Sequence, residues 1–186
     1  MRTTKQYISR KLNFDSGHRV MNQAYKCKSL HGHTYNTELT FEFDAASDLG
    51  YSIDFSEIKR IGVEWIMDYM DHGMILNPHD ITIIEATKAT NSKMWLMSLN
   101  GEGEYCNPSV ENIAKEIFLA MMVLFQPYKD LRISKVIIYE TPNCWTECIR
   151  ESISDFEAQN WMKVNYEPIY NYTVDKGIIE YDDRKN

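Results

Sequence analysis

Apolar and polar residues alternate along two stretches near the start of the chain. Residues 6–19 carry apolar side chains at even-numbered positions, and the same parity places His18 on that face. In His31–Phe43 the odd-numbered positions are mostly apolar and include both histidines, whereas the even-numbered positions are polar. Such alternation is typical of half-buried antiparallel strands. The polar residues 20–30 between them predict a loop.

Two later stretches have the spacing of amphipathic helices. Asp54 followed by Glu57 resembles an N-cap with a capping-box partner, and the helix that begins there should end near Tyr69 or Met70. Pro108-Ser109 should open a second helix. The predicted buried stripes are Ile58, Ile61, Trp65, Ile66 and Tyr69 in the first helix, and Ile113, Ile117, Ala120, Met121 and Leu124 in the second.

A further strand is predicted from Leu131 to Glu140, so strands and helices are partly segregated along the chain and the fold class is α+β. We expect one domain over residues 1–186, with an insertion at about 80–106 and a C-terminal extension at about 152–186. Within the insertion, Ile81–Ile84 is rich in β-branched residues, and Tyr172–Val174 in the extension predicts a short strand.

Composition excludes several classes of protein. The chain is 44% hydrophobic and 25% charged, as soluble globular proteins are. Its net charge of −7 argues against a nucleic-acid partner, and its apolar runs are too short to span a membrane. Four cysteines are too few and too irregularly spaced to indicate a disulfide framework, and this favours a cytoplasmic protein.

Three of the five histidines, His18, His31 and His33, should come together if the first two strands pair. Residues two apart on a strand point the same way, so His31 and His33 would direct both imidazoles to one place. Three protein ligands and one open position are the usual catalytic arrangement of Zn²⁺. A histidine on an apolar strand face is otherwise a core residue, and the spacing alone leaves both interpretations open.

Other residues near these positions carry candidate chemistry. Beside a cation, Cys27 could become a thiolate, although such a cysteine is often inert. Asp71 could orient His72, or His72 could serve only to neutralise a helix C-terminus. Glu140 could accept two parallel N–H bonds from a guanidine-like ring edge, or could be a solvated strand end. Cys144 and Cys148 have no companion pair that would indicate a second metal.

Six motifs follow one another along the chain. They are Phe14-Asp-Ser-Gly-His18-Arg19, Cys27-x-x-x-His31-Gly-His33, Asp54-Phe55-x-x-Ile58-Lys59, Met70-Asp71-His72 with Leu76-Asn77, Pro108-Ser109-x-Glu111-Asn112-Ile113-Ala114, and Tyr139-Glu140-Thr141. In this order they resemble the 6-pyruvoyl- and 6-carboxy-tetrahydropterin synthase family, and the resemblance covers about residues 6–79 and 107–151. It implies the tunnelling fold (T-fold), an antiparallel sheet with two helices inserted between strand pairs. Trimers of such subunits form barrels that stack into homohexamers, with active sites between subunits.

The resemblance also implies roles for the candidate residues. His18, His31 and His33 would bind zinc, Cys27 with Asp71 and His72 would be catalytic, and Glu140 would bind the substrate. The substrate would be the small molecule 7,8-dihydroneopterin triphosphate.

Members of this family differ in the gap between the cysteine and the histidine pair, and the three-residue gap here resembles the bacterial carboxy-forming branch. The enzymes of that branch are carbon-carbon lyases that supply precursors of queuosine and other 7-deazaguanines. Two alternatives stay open: the pyruvoyl-forming reaction, which is a phosphorus-oxygen lyase, and a pterin- or purine-binding T-fold protein without turnover.

Overall fold

The computed structural model describes residues 5–44 and 50–178. Within these residues, six strands and five α-helices are interspersed along the chain. The strands are β1 Gln6–His18, β2 His31–Phe43, β3 Gly73–Leu76, β4 Lys93–Leu96, β5 Leu131–Thr141 and β6 Cys144–Ile149. The helices are α1 Phe55–Ile58, which continues through a π-helical segment Lys59–Val63 into α2 Glu64–Tyr69, then α3 Ile81–Ala89, α4 Val110–Leu124 and α5 Asp155–Asp175. Short 3₁₀ turns lie at Lys26–Lys28 and Arg150–Ser152.

The strands form one six-stranded sheet in the order β4-β3-β1-β2-β5-β6. β1, β2, β5 and β6 pair in antiparallel fashion, as the T-fold implies. The short strands β3 and β4 extend the sheet in parallel beside β1, which the predicted all-antiparallel sheet did not include. The fold class α+β is confirmed, and His18 stands directly opposite His31 in the ladder.

The α1–α2 segment and α4 cover one face of the sheet and form the core with it. The predicted stripes are buried, except that Tyr69 is only partly so. The side chain of Asp54 accepts a hydrogen bond from the backbone N–H of Ser56, as an N-cap should, whereas Glu57 binds Arg60 instead of completing a capping box. Ser109 is the N-cap of α4.

The short strand predicted at Tyr172–Val174 is wrong, and the β-branched run Ile81–Ile84 is helical as well. Ile81–Ile84 begins α3: the carbonyl of Asp80 accepts from the N–H groups of Ile83 and Ile84, and Ile81 is exposed rather than packed in a sheet. Tyr172–Val174 lies near the end of α5, a helix that begins at a capping box formed by Ser154 and Glu157. Residues 179–186 of the predicted extension lie outside the described residues.

The insertion and α5 meet α4 around a buried carboxyl group, that of Glu116. One of its oxygens accepts from the Ser98 N–H at 2.7 Å, and the other accepts from the indole N–H groups of Trp95 and Trp161. Asn165 of α5 also donates to the Ser98 hydroxyl. The insertion and the C-terminal extension are therefore joined through α4. In the described part of the chain, no helix has the length and apolarity needed to cross a membrane.

Candidate active site

The three predicted ligand histidines converge at one end of the β1–β2 pair. His18 ends β1, His31 begins β2, and His33 follows on the same face. One ring nitrogen of each lies within 4.8 Å of one from the others, and the ring centroids are 4.6 to 5.3 Å apart. The antiparallel register produces this cluster, since it sets the last residue of β1 against the first residue of β2.

The hydrogen bonds of the rings leave nitrogen lone pairs free for a metal. Nδ1 of His18 lies 2.7 Å from the carbonyl oxygen of Pro108, and Nδ1 of His31 lies 2.7 Å from that of Ser29. A carbonyl oxygen can only accept, so each Nδ1 carries the proton. Nε2 of His18 and of His33 is buried and has no hydrogen-bond partner. Burial also lowers the pKa of His18 and His33, which favours neutral rings.

These features fit a Zn²⁺ site. Neutral imidazoles with oriented Nδ1–H groups are the usual ligands of zinc, and backbone carbonyls commonly fix their tautomer. Buried polar nitrogens without partners are costly unless something binds them. His18, His31 and His33 would hold the ion.

Glu140 of β5 lies at the edge of the histidine cluster. Its Oε1 is 3.4 Å from Nε2 of His18 and 3.5 Å from Nε2 of His33, distances too long for good hydrogen bonds. The side chain is about one-fifth exposed, so the carboxylate can meet a molecule that enters beside the histidines. The structure thus brings Glu140 together with the three predicted ligands.

Cys27 lies in the 3₁₀ turn just before β2 and is half-buried. Its carbonyl accepts from the N–H of Val20, which closes the loop between β1 and β2. The side chain of Asn107 fixes the same loop, because it accepts from the Met21 N–H and donates to the Met21 carbonyl. Two groups of close metal-binding atoms occur among the described residues, the three histidines and Asp15 with Asp71 and His72, and neither contains the Cys27 thiol.

Asp71 and His72 form the predicted pair, but they lie on the other face of the sheet. The Asp71 carboxylate is 2.7 Å from Nδ1 of His72, and it also accepts from the backbone N–H of Asp15. Asp15 and Thr34, which are bonded to each other, occupy the strand face opposite His18 and His33. The His72 side chain is 77% exposed in the single chain. Within one subunit, the pair therefore does not join the histidine cluster.

Two residues at the site were not singled out from the sequence as functional. The hydroxyl of Tyr35 is buried without a partner, and its ring contacts those of His18 and His33. Burial raises its pKa, and the nearby Glu140 and Cys27 add to that effect. Its position two residues after His33 on the same face was the available signal. The sequence offers no such signal for Asp15, because the role of this residue depends on the parallel pairing of β1 with β3.

The fold and the site define a class: an α+β subunit of the T-fold type with a three-histidine centre at the ends of two paired strands. Residues 7–151 match the 6-pyruvoyl tetrahydropterin synthase family, and the chain belongs to that family.

Individual relatives agree with this placement. The 6-carboxy-5,6,7,8-tetrahydropterin synthase of Rickettsia felis is 34% identical over 144 residues, which cover 75% of this chain and 96% of the relative. Two solved structures share the fold. An uncharacterized protein from Wolinella succinogenes has a TM-score of 0.63 and 20% identity, and covers 79% of this chain and 99% of its own. The 6-pyruvoyl tetrahydropterin synthase of Caenorhabditis elegans has a TM-score of 0.54 and 18% identity, with coverages of 80% and 98%.

Proposed function

We propose that this protein is a zinc-dependent 6-carboxy-5,6,7,8-tetrahydropterin synthase. It would convert 7,8-dihydroneopterin triphosphate and water to 6-carboxy-tetrahydropterin, acetaldehyde and triphosphate, on the route to queuosine and other 7-deazaguanines. The observation that carries the proposal is the cluster of three histidines, two of which have a buried Nε2 without a hydrogen-bond partner, with Cys27 four residues before His31 and Glu140 beside the rings. The relative from Rickettsia felis bears the name of this activity.

Each residue has a distinct task in the proposed reaction. Glu140 accepts two N–H bonds from the amino-pyrimidine edge of the pterin and so fixes the ring. Bound zinc would supply Lewis acidity, which acidifies substrate hydroxyls and stabilises developing negative charge. Cys27 takes a proton from the substrate side chain as thiolate. His72, held in one tautomer by Asp71, exchanges protons with Cys27 or the substrate.

The positions of these residues support an active site shared between subunits. The histidines and Glu140 belong to one face of the sheet, and Cys27 is near enough to Tyr35 on that face to affect its pKa. Asp71 and His72 lie on the other face. In a homohexamer of two stacked trimers, the exposed His72 of one chain would complete the site of its neighbour. Contacts between subunits would then help to hold the His72 side chain in place.

Product analysis tests the proposed reaction. Zinc-loaded protein is incubated with 7,8-dihydroneopterin triphosphate, and the products are identified by mass. Acetaldehyde together with a carboxy-pterin is the expected result. A pyruvoyl-pterin would establish the pyruvoyl-forming reaction instead, and no turnover by metal-replete hexamer would contradict both enzymatic functions and leave the binding protein.

A further inference from the structure

Lys93 of the insertion contacts the segment that carries Asp71 and His72. Its Nζ donates to the carbonyl oxygens of Met67 and Asp71, both at 2.7 Å. These carbonyls lie in the last turn of α2 and just beyond it, where carbonyl groups lack helical partners and the helix dipole is negative. A partly buried ammonium group therefore caps this helix end.

The backbone at His72 needs such support. Its φ is 54°, in the left-handed region, which is unfavourable for a residue with a side chain. On one side, the Asp15 backbone holds the turn: its N–H donates to the Asp71 carboxylate and its carbonyl accepts from the His72 N–H at 2.7 Å. On the other side, Lys93 holds the Asp71 carbonyl.

Gly73 permits the close approach of Lys93. The two residues are directly paired between β3 and β4. A Cβ atom at position 73 would lie 3.1 Å from the Lys93 carbonyl oxygen and 3.2 Å from its Cβ, tighter than ordinary van der Waals contact. The absence of a side chain immediately after His72 thus lets the insertion reach the pair.

We propose that Lys93 is a positioning residue that holds Asp71 and His72 in their bonded geometry. The inference rests on the proposed function, in which this pair moves protons, and it assigns the insertion a part in that site. The charge of Lys93 acts in the same direction as its hydrogen bonds. Burial raises the pKa of Asp71, but the Asp15 N–H, His72 and Lys93 together outweigh it and keep the carboxyl ionised.

Substitution of Lys93 tests this role in the full-length, zinc-loaded protein. Lys93→Met keeps the length of the side chain but removes both donors. We expect kcat to fall at least about tenfold, because a misplaced proton carrier loses much of its contribution, while KM stays within about twofold. Zinc content should not change. Lys93→Arg should restore most of kcat, and Lys88→Met, in the same insertion but exposed and paired with Glu85, should match the wild type.

A spectroscopic measurement separates this inference from the proposed function. With ¹⁵N-labelled histidine, the His72 resonances, assigned by comparison with His72→Gln, should show the Nδ1–H tautomer in the wild type and a mixture of tautomers in Lys93→Met. This result would support Lys93 even if no turnover occurred. An unchanged His72 tautomer or an unchanged kcat in Lys93→Met would overturn the inference. Parallel losses of kcat, zinc content and thermal stability that Lys93→Arg does not restore would also overturn it. If Lys93→Met fails to fold, Lys93→Gln replaces it.

Discussion

Cys27 and Cys144 offer a matched pair of thiols. Both are accessible to some degree, but only Cys27 precedes the histidine pair, whereas Cys144 is exposed at the start of β6. We expect Cys27→Ala to retain one zinc per chain and to lose turnover by about a hundredfold or more, since it removes a proton-transfer group. Cys144→Ala should retain both. Metal analysis and product formation measure the two properties, and normal turnover in Cys27→Ala would show that the assigned role is wrong.

Glu116 should make the stability of the protein depend on pH. Burial raises its pKa to about 7, although N–H donors from Ser98, Trp161, Trp95 and Leu99 oppose that effect. The folded state therefore binds this proton more tightly than the unfolded chain, and the resulting stabilisation is lost as the pH rises towards and through 7. Between pH 6 and pH 8 the free energy of unfolding should fall by about 1 kcal/mol.

Urea unfolding at one protein concentration measures this change. Glu116→Gln cannot ionise, so its stability should change less over the same pH interval. An equal loss in the variant and the wild type would assign the pH dependence to groups other than Glu116.

At the scale of elements, α5 should contribute to stability through Trp161. The indole is fully buried and donates to Glu116. Trp161→Phe removes this donor and part of the packed volume, so we expect a loss of about 2 to 3 kcal/mol in the free energy of unfolding. The control is Phe156→Ala on the same helix, which should cost less than about 0.5 kcal/mol because Phe156 is 64% exposed. Similar losses for both variants would mean that α5 does not pack as described.

The sequence predicts the elements whose periodicity is strong. β2 begins and ends at the predicted residues, and β1 ends one residue early. Helix α3 is not predicted from the sequence, because β-branched residues dominate its first turn and only its later residues favour a helix. Helix α5 lacks a clear apolar stripe and contains Pro168, although Ser154 and Glu157 were a readable start signal.

The sequence likewise predicts some residues of the candidate site and not others. The three histidines follow from strand parity, because their convergence needs only a hairpin-like pairing of β1 and β2. The contacts of Asp15 and Lys93 with the Asp71–His72 segment depend on β3 and β4, two four-residue strands that pair in parallel across a long separation in sequence. Strands this short carry too few residues for alternation to identify them.

At the scale of the whole molecule, the separation of His72 from Cys27 predicts complementation between inactive variants. Cys27→Ala and His72→Gln chains, unfolded together and reassembled in equal amounts, should regain about a quarter of wild-type activity, since that fraction of shared sites draws both intact residues from different chains. Each variant assembled alone should stay inactive. Activity of the mixture no higher than that of the separate variants would place the complete site within one chain.

The junction at Glu116 also constrains how such a protein can be shortened or recombined. Deleting α5 would expose one side of the carboxylate and remove the Trp161 donor, and deleting the insertion would remove the donors from Trp95, Ser98 and Leu99. Either deletion alone leaves this carboxyl group at a half-built junction with incomplete hydrogen bonding, which is worse than having neither segment. For protein engineering, the insertion and α5 therefore form one exchangeable unit. A smaller relative would have to receive both, together with a glutamate on the helix beneath them.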